Sequence, residues 1–255
     1  MAERLVWDQE VAGSNPVAPI RNRTIRVALR KLILSQTPPT VRELRRSWKP
    51  FKESAPEGTA VRMHRMFSWL ARSQELPEDS SEADAKLVWL WAAWNAMYGS
   101  WDETSGKPVE DLPSQEQCLK MLYEADGHGH RYLEAFLIEH KKLASALCGD
   151  LWLSRQFWSE GKIAAEKNAD RTKRNFLEAM REGRYRAAIE VTLARVYLGR
   201  CQLVHGAATC GSRLNRAQIR RCSTFMGHLL PVVATIVTES FHDKSWGVLC
   251  CPPQG

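Results

Sequence analysis

An all-α architecture is what this sequence predicts, and three features carry the prediction. Apolar residues recur at spacings of three and four through most of the chain, the period of a helix with one buried stripe. No segment alternates apolar and polar residues with the period of two that a half-buried strand requires. The stretch from Ala83 to Tyr98 is apolar around most of a helical circumference, which suits the centre of a bundle.

Taken in order, residues 1–57 read as a basic, flexible N-terminal segment. Gly13-Ser14-Asn15-Pro16 followed by Pro19 is a string of turn formers. Two readings stand for residues 1–20. They are an ordinary flexible N-terminus, or the translated end of a tRNA gene, because Gly-Ser-Asn-Pro can be encoded by the T-arm sequence GGTTCGAATCC. Over 21–52 basic residues dominate, with Glu43 the lone acidic residue. A short helix around Val27 and Ile33 should break at Pro38-Pro39. The segment is either an arm for phosphate backbones or a solvated basic linker. Glu3, Asp8 and Glu10 argue against an organelle-targeting peptide.

The ordered domain is expected over 58–250, with 251–255 a short tail. Val61, Met63, Met66, Phe67 and Leu70 lie at helical spacing. Ser81 and Asp84 form a weak capping box for the helix from Ala83 to Tyr98, and Gly99 should end that helix. A polar loop follows over 101–113. Further helices are expected over 114–124, 131–147, 151–158, 168–182 and 184–204. The last carries a seam of Ala187, Val191, Ala194, Leu198 and Cys201, whose next step is His205. Asn215 should cap a final helix, and Pro231 should kink it.

Bulk properties narrow the function. The chain is long enough to bury a core, and 44% hydrophobic content with ten tryptophans excludes a disordered protein. A net charge of +7 favours an acidic partner such as nucleic acid. Seven cysteines, odd in number and without a CxxC pair, read as reduced thiols in a cytoplasmic protein, with neither a disulfide framework nor a zinc site. The apolar runs Leu87 to Ala93 and Leu229 to Val237 are too short to span a bilayer, so no membrane association is expected.

The most informative segment is Arg200-Cys201-Gln202-Leu203-Val204-His205-Gly206. It resembles the Arg-x4-His motif of the HEPN superfamily. Linked blocks extend the resemblance over roughly 58–250: Arg62-Met63-His64-Arg65 to Trp69-Leu70, Leu90 to Tyr98, Asn215-Arg216-Ala217-Gln218, Leu229-Leu230-Pro231-Val232 and Trp246-Gly247. The resemblance implies a HEPN-like helical bundle with additional helices, acting as a homodimer. One departure stands out: Cys201 occupies the place after the arginine where the family usually has Asn.

The implied activity is metal-independent endoribonuclease cleavage, by attack of a 2′-hydroxyl on the adjacent phosphate. His205 would serve as general acid or base, since imidazole titrates near neutrality. Arg200 would stabilise the phosphorane, because a planar guanidinium fork matches phosphate oxygens. Cys201, Gln202 and Gly206 would support the motif, and Arg213, Arg216, Arg220 and Arg221 would track the RNA backbone. No metal and no cofactor is implied. The partners would be RNA, a second copy and an antitoxin or neutralising protein, in a toxin or anti-phage role. The competing readings are a structural histidine at a helix end, a solvated face for the arginine cluster, and a non-catalytic module binding RNA, a nucleotide or a protein. His128-Gly129-His130 matches no closed metal site and reads as a turn into a helix.

Overall fold

A computed structural model describes residues 38–76, 82–126, 131–210, 215–242 and 246–251. The fold is all-α, as the hydrophobic period predicts. Its helices are α1 (Val41–Trp48), α2 (Glu57–Gln74), α3 (Ala83–Tyr98), α4 (Asp111–Asp126), α5 (Tyr132–Glu139), α6 (Lys141–Cys148), α7 (Arg155–Ser159), α8 (Lys162–Arg181), α9 (Tyr185–Val204) and α10 (Arg216–Ser240). Short 3-10 turns cover Lys49–Phe51 and Leu151–Leu153. The expected polar loop holds a small antiparallel ribbon, Trp101–Asp102 against Lys107–Pro108, in which Trp101 faces Pro108.

The ordered body begins earlier than residue 58. Thr40 accepts a hydrogen bond from the Glu43 amide, and Glu43 Oε2 accepts one from the Thr40 amide at 2.8 Å, a complete capping box directly after Pro38-Pro39. Val41, Leu44 and Trp48 then bury one face of α1, and Trp48 packs edge-on against Phe241 with ring centroids 5.5 Å apart. Charge density hid this apolar stripe of spacing three and four. Arg42, Arg45, Arg46 and Lys49 are the solvent face of a core helix, so the segment that includes them is not wholly a flexible arm. The expectations for residues 1–37 lie outside the described residues.

α10 is the axis of the bundle. It touches α1, α2, α3, α4, α5, α6 and α9, and its residues from Leu229 to Thr238 are buried without a break. A long helix buried on every side must be apolar on every side. By length and composition it could cross a bilayer, which the shorter run considered from sequence could not, but 78% of its apolar window is buried inside the protein. The core accounts for its composition. Pro231 sits within the helix, which continues through it. Asn215 does not cap α10 with its side chain. It stands in the left-handed region at φ 60° and donates to Gln202 Oε1 instead.

α3 packs along α2 in the largest helix–helix interface and lies against α10 on its other side. Leu87, Leu90, Trp91, Trp94 and Tyr98 are buried as the stripe predicts. Gly99 follows the last helical residue, and a Cβ there would meet the Asn95 carbonyl at 2.8 Å, so the position has no room for a side chain. Of the predicted capping box, Ser81 lies outside the described residues and Asp84 pairs with Arg216. The helix expected over 131–147 is two, broken at His140, and the one expected over 168–182 starts a turn and a half earlier, at Lys162. α8 covers α6, α7 and α9 from outside.

Candidate functional site

The motif lies at the C-terminal end of α9. This helix buries Ala188, Ile189, Thr192, Leu193, Arg195, Val196, Gly199 and Gln202. The predicted seam is the neighbouring face. Ala187, Val191, Leu198 and Cys201 are half-buried, and Ala194 and His205 are exposed. Arg195 occupies the inner face by donating to Asn168 Oδ1 at 2.8 Å and Thr172 Oγ1 at 2.6 Å.

Gln202 anchors the end of the helix. Its Nε2 donates to the Trp152 carbonyl at 2.6 Å, its Oε1 accepts from Asn215, and its own carbonyl accepts from the Ala208 amide at 2.9 Å. The chain after the motif is therefore folded back onto the motif. Gly206 permits the reversal at φ +69°, a conformation that side chains with a Cβ rarely adopt.

His205 caps α9 and its ring is exposed. Its amide donates to the Cys201 carbonyl at 3.0 Å, and no described residue hydrogen-bonds the imidazole. Arg200 is half-buried one helical turn below Val204. Its Nη1 lies 4.0 Å from Cys201 Sγ, a long contact to a weak partner, and its guanidinium carbon is 5.9 Å from the Tyr197 ring centroid. Five residues along a helix turn the side-chain direction by about 140°. Accordingly, Arg200 lines a groove of about 400 Å³ whose lining does not include His205.

That groove runs between α2, α3, the end of α9 and the segment 246–251. Arg62 and Arg65 line it together with Arg200. Arg62 is 1% exposed and donates from Nη1 to the carbonyls of Met97 at 2.9 Å and Gly99 at 2.7 Å, and from Nη2 to that of Val248 at 2.9 Å. Burial lowers its pKa from the usual arginine value. Arg65 donates to the carbonyls of Cys250 at 3.0 Å and Cys251 at 2.7 Å. Among the described residues no carboxylate reaches Arg62, Arg65 or Arg200 as an ion pair. Sequence reasoning passed over Arg62 and Arg65 as functional groups. The available signal was an arginine inside the apolar stripe of α2, flanked by Met63 and Met66.

Two members of the predicted RNA-tracking cluster are tied to carboxylates. Arg216 Nη1 meets Asp84 Oδ1 at 2.6 Å with side chains only 12% and 14% exposed, which ties α10 to α3. Arg221 lies 3.4 Å from Asp150, and Arg220 is exposed. Arg213 lies outside the described residues, as do His128 to His130. The physical reason is period: residues 216, 220 and 221 share a helix, but the two ends of that stripe meet carboxylates from different elements.

No protein-family model, curated protein or solved structure matches the chain.

Proposed function

We propose that the protein is a metal-independent endoribonuclease of HEPN type, in which Arg200 holds the phosphate under attack and His205 moves the proton. The observation that carries this reading is the state of the two side chains. Among the described residues Arg200 has no carboxylate partner and faces an open groove, and His205 presents an imidazole free of described partners at the helix end just beyond it. A structural arginine or histidine is ordinarily tied down, as Arg195 and Arg216 are.

The two groups diverge around α9, so one chain alone offers the phosphate a cation on one side and a proton carrier on another. A homodimer related by a two-fold axis along the half-open face of α9 would bring two such pairs together. Val204, 50% exposed on the turn between Arg200 and His205, belongs to that face. RNA is the substrate in this reading, and an antitoxin or neutralising protein, a toxin or anti-phage role and a cytoplasmic setting go with it.

A second reading has a specific observation in its favour. Cys201 Sγ gives Arg200 a far weaker partner than a carboxamide would, which favours a non-catalytic module that binds RNA, a nucleotide or a protein. Labelled RNA incubated with the protein in EDTA separates the two. Nuclease action gives 2′,3′-cyclic phosphate and 5′-hydroxyl ends, and His205→Ala or Arg200→Ala lowers the rate by about 10²–10⁴. Arg200→Lys fails as well, because an ammonium lacks the fork. Cleavage unchanged in these variants removes the assignment, and a gain in Cys201→Asn shows that the cysteine weakens the site.

A further inference from the structure

We propose that the groove beside Arg200 is a subsite for one nucleoside phosphate, with Arg65 and Arg200 gripping the phosphate and Trp69 stacking on the base. The inference rests on the nuclease reading only in sharing Arg200 with it. The site itself follows from charge, shape and aromatic placement.

Charge is the first observation. Three guanidiniums line one concavity, and its lining contains no Asp or Glu. Arg62 and Arg65 are held by backbone carbonyls, which orient a guanidinium without neutralising it. Arg65 spends two of its five N–H donors on the carbonyls of Cys250 and Cys251, and Arg200 has only its long contact to sulfur. Open N–H donors of fixed direction in a partly desolvated cleft are what a phosphate dianion or diester needs. Burial lowers the pKa of Arg62, and an anion bound in the groove would favour its charged form.

Shape is the second. From α3 and the glycine after it the groove meets Val88, Trp91, Ala92, Ala96 and Gly99, a mostly apolar floor. A volume of about 400 Å³ falls in the range of small-ligand sites. That volume suits one splayed nucleotide.

The aromatic wall is the third. Trp69 is 44% exposed although it lies on the heavily packed α2, and its ring borders the groove. An indole beside guanidiniums is a stacking platform for any base, and Asn95 of α3, which also lines the groove, carries a carboxamide with both a donor and an acceptor for a base edge.

A nucleoside phosphate can arrive as part of a single-stranded RNA or as a free nucleotide, and two probes distinguish the sources. Adenosine 5′-monophosphate and a short single-stranded oligoribonucleotide are titrated into the full His205→Ala chain, with tryptophan quenching and anisotropy as readouts. The expected result is that Trp69→Ala weakens binding about tenfold or more, that Trp69→Phe restores most of it, and that Arg65→Gln lowers the salt dependence by about one ion. The same dependence for both probes, or for the oligoribonucleotide alone, assigns the subsite to a strand. Dependence for the mononucleotide alone assigns it to a free ligand. Probes that do not bind, or that bind with affinities indifferent to Trp69 and Arg65 in variants that keep their helical circular dichroism, overturn the proposal. The nuclease reading fails separately, through absent or His205-independent cleavage in the wild type.

Discussion

A buried arginine bonded to carbonyls instead of carboxylates sets the residue-scale chemistry of this protein. Arg62 reaches the C-terminal end of α3, where backbone carbonyls lack helical partners and carry partial negative charge, and it reaches the segment 246–251 as well. One side chain therefore fixes two walls of the groove. Replacing it by an apolar residue strands those carbonyls: Arg62→Met should cost about 3 kcal/mol in urea unfolding. A cost within error of zero would mean that the segment holds its place without the arginine. Gln202 works similarly at the other end of the motif. Gln202→Ala removes the side-chain ties to Trp152 and Asn215, should cost about 1–2 kcal/mol, and by loosening this helix end should raise amide exchange at Ala208, whose N–H donates to the backbone carbonyl of residue 202.

At the scale of elements, α1 is the informative case. Thr40→Ala removes the cap and should destabilise by about 1 kcal/mol. Trp48→Ala should cost about 3–5 kcal/mol, because the indole fills a site against Phe241. A chain beginning at residue 58 that is as stable as one beginning at 38 would contradict both. The break between α5 and α6 carries a different consequence. His140 there stacks on His228 of α10 with ring centroids 4.4 Å apart. Burial first, then His140 and Lys86, hold the pKa of His228 down at about 4 against an ordinary 6.5. A depressed histidine pKa means that the unfolded chain binds the proton more readily. Stability is thus fully present above about 6.5 and is lost as pH falls toward 4. The ring is partly solvent-facing, so the loss from about pH 7 to about pH 5 should be near 1 kcal/mol. His228→Leu should flatten the acid limb of the melting temperature. An unchanged limb assigns the acid sensitivity to other groups.

For the whole molecule, the open question of assembly turns on α9. Its seam residues are half-buried or exposed in the single chain, and Ala194 sits mid-helix on that face. Ala194→Glu should leave monomer stability within about 0.5 kcal/mol and, if two copies meet there, shift the sedimenting species from dimer to monomer and lower cleavage in parallel. A wild type that sediments as a monomer at concentrations where it cleaves RNA would remove the two-fold arrangement.

Period and composition alone determined the helical class, the limits of α3 and the course of α9, because local apolar spacing is written residue by residue. Arg200 and His205 were singled out by the resemblance of their segment to the HEPN Arg-x4-His motif, not by period. What the sequence left undecided were relations between distant segments. That α1 is a core helix under a basic face needed Phe241 on the other side of Trp48. That Arg216 is paired needed Asp84. That Arg200 shares a groove with Arg62, Arg65 and Trp69, and not with His205, needed α2 and the segment 246–251 to be folded against α3. A sequence records which side chains one helix carries on each face. Which face meets solvent, a carboxylate or another cation is decided by packing between elements, and only the tertiary structure holds that.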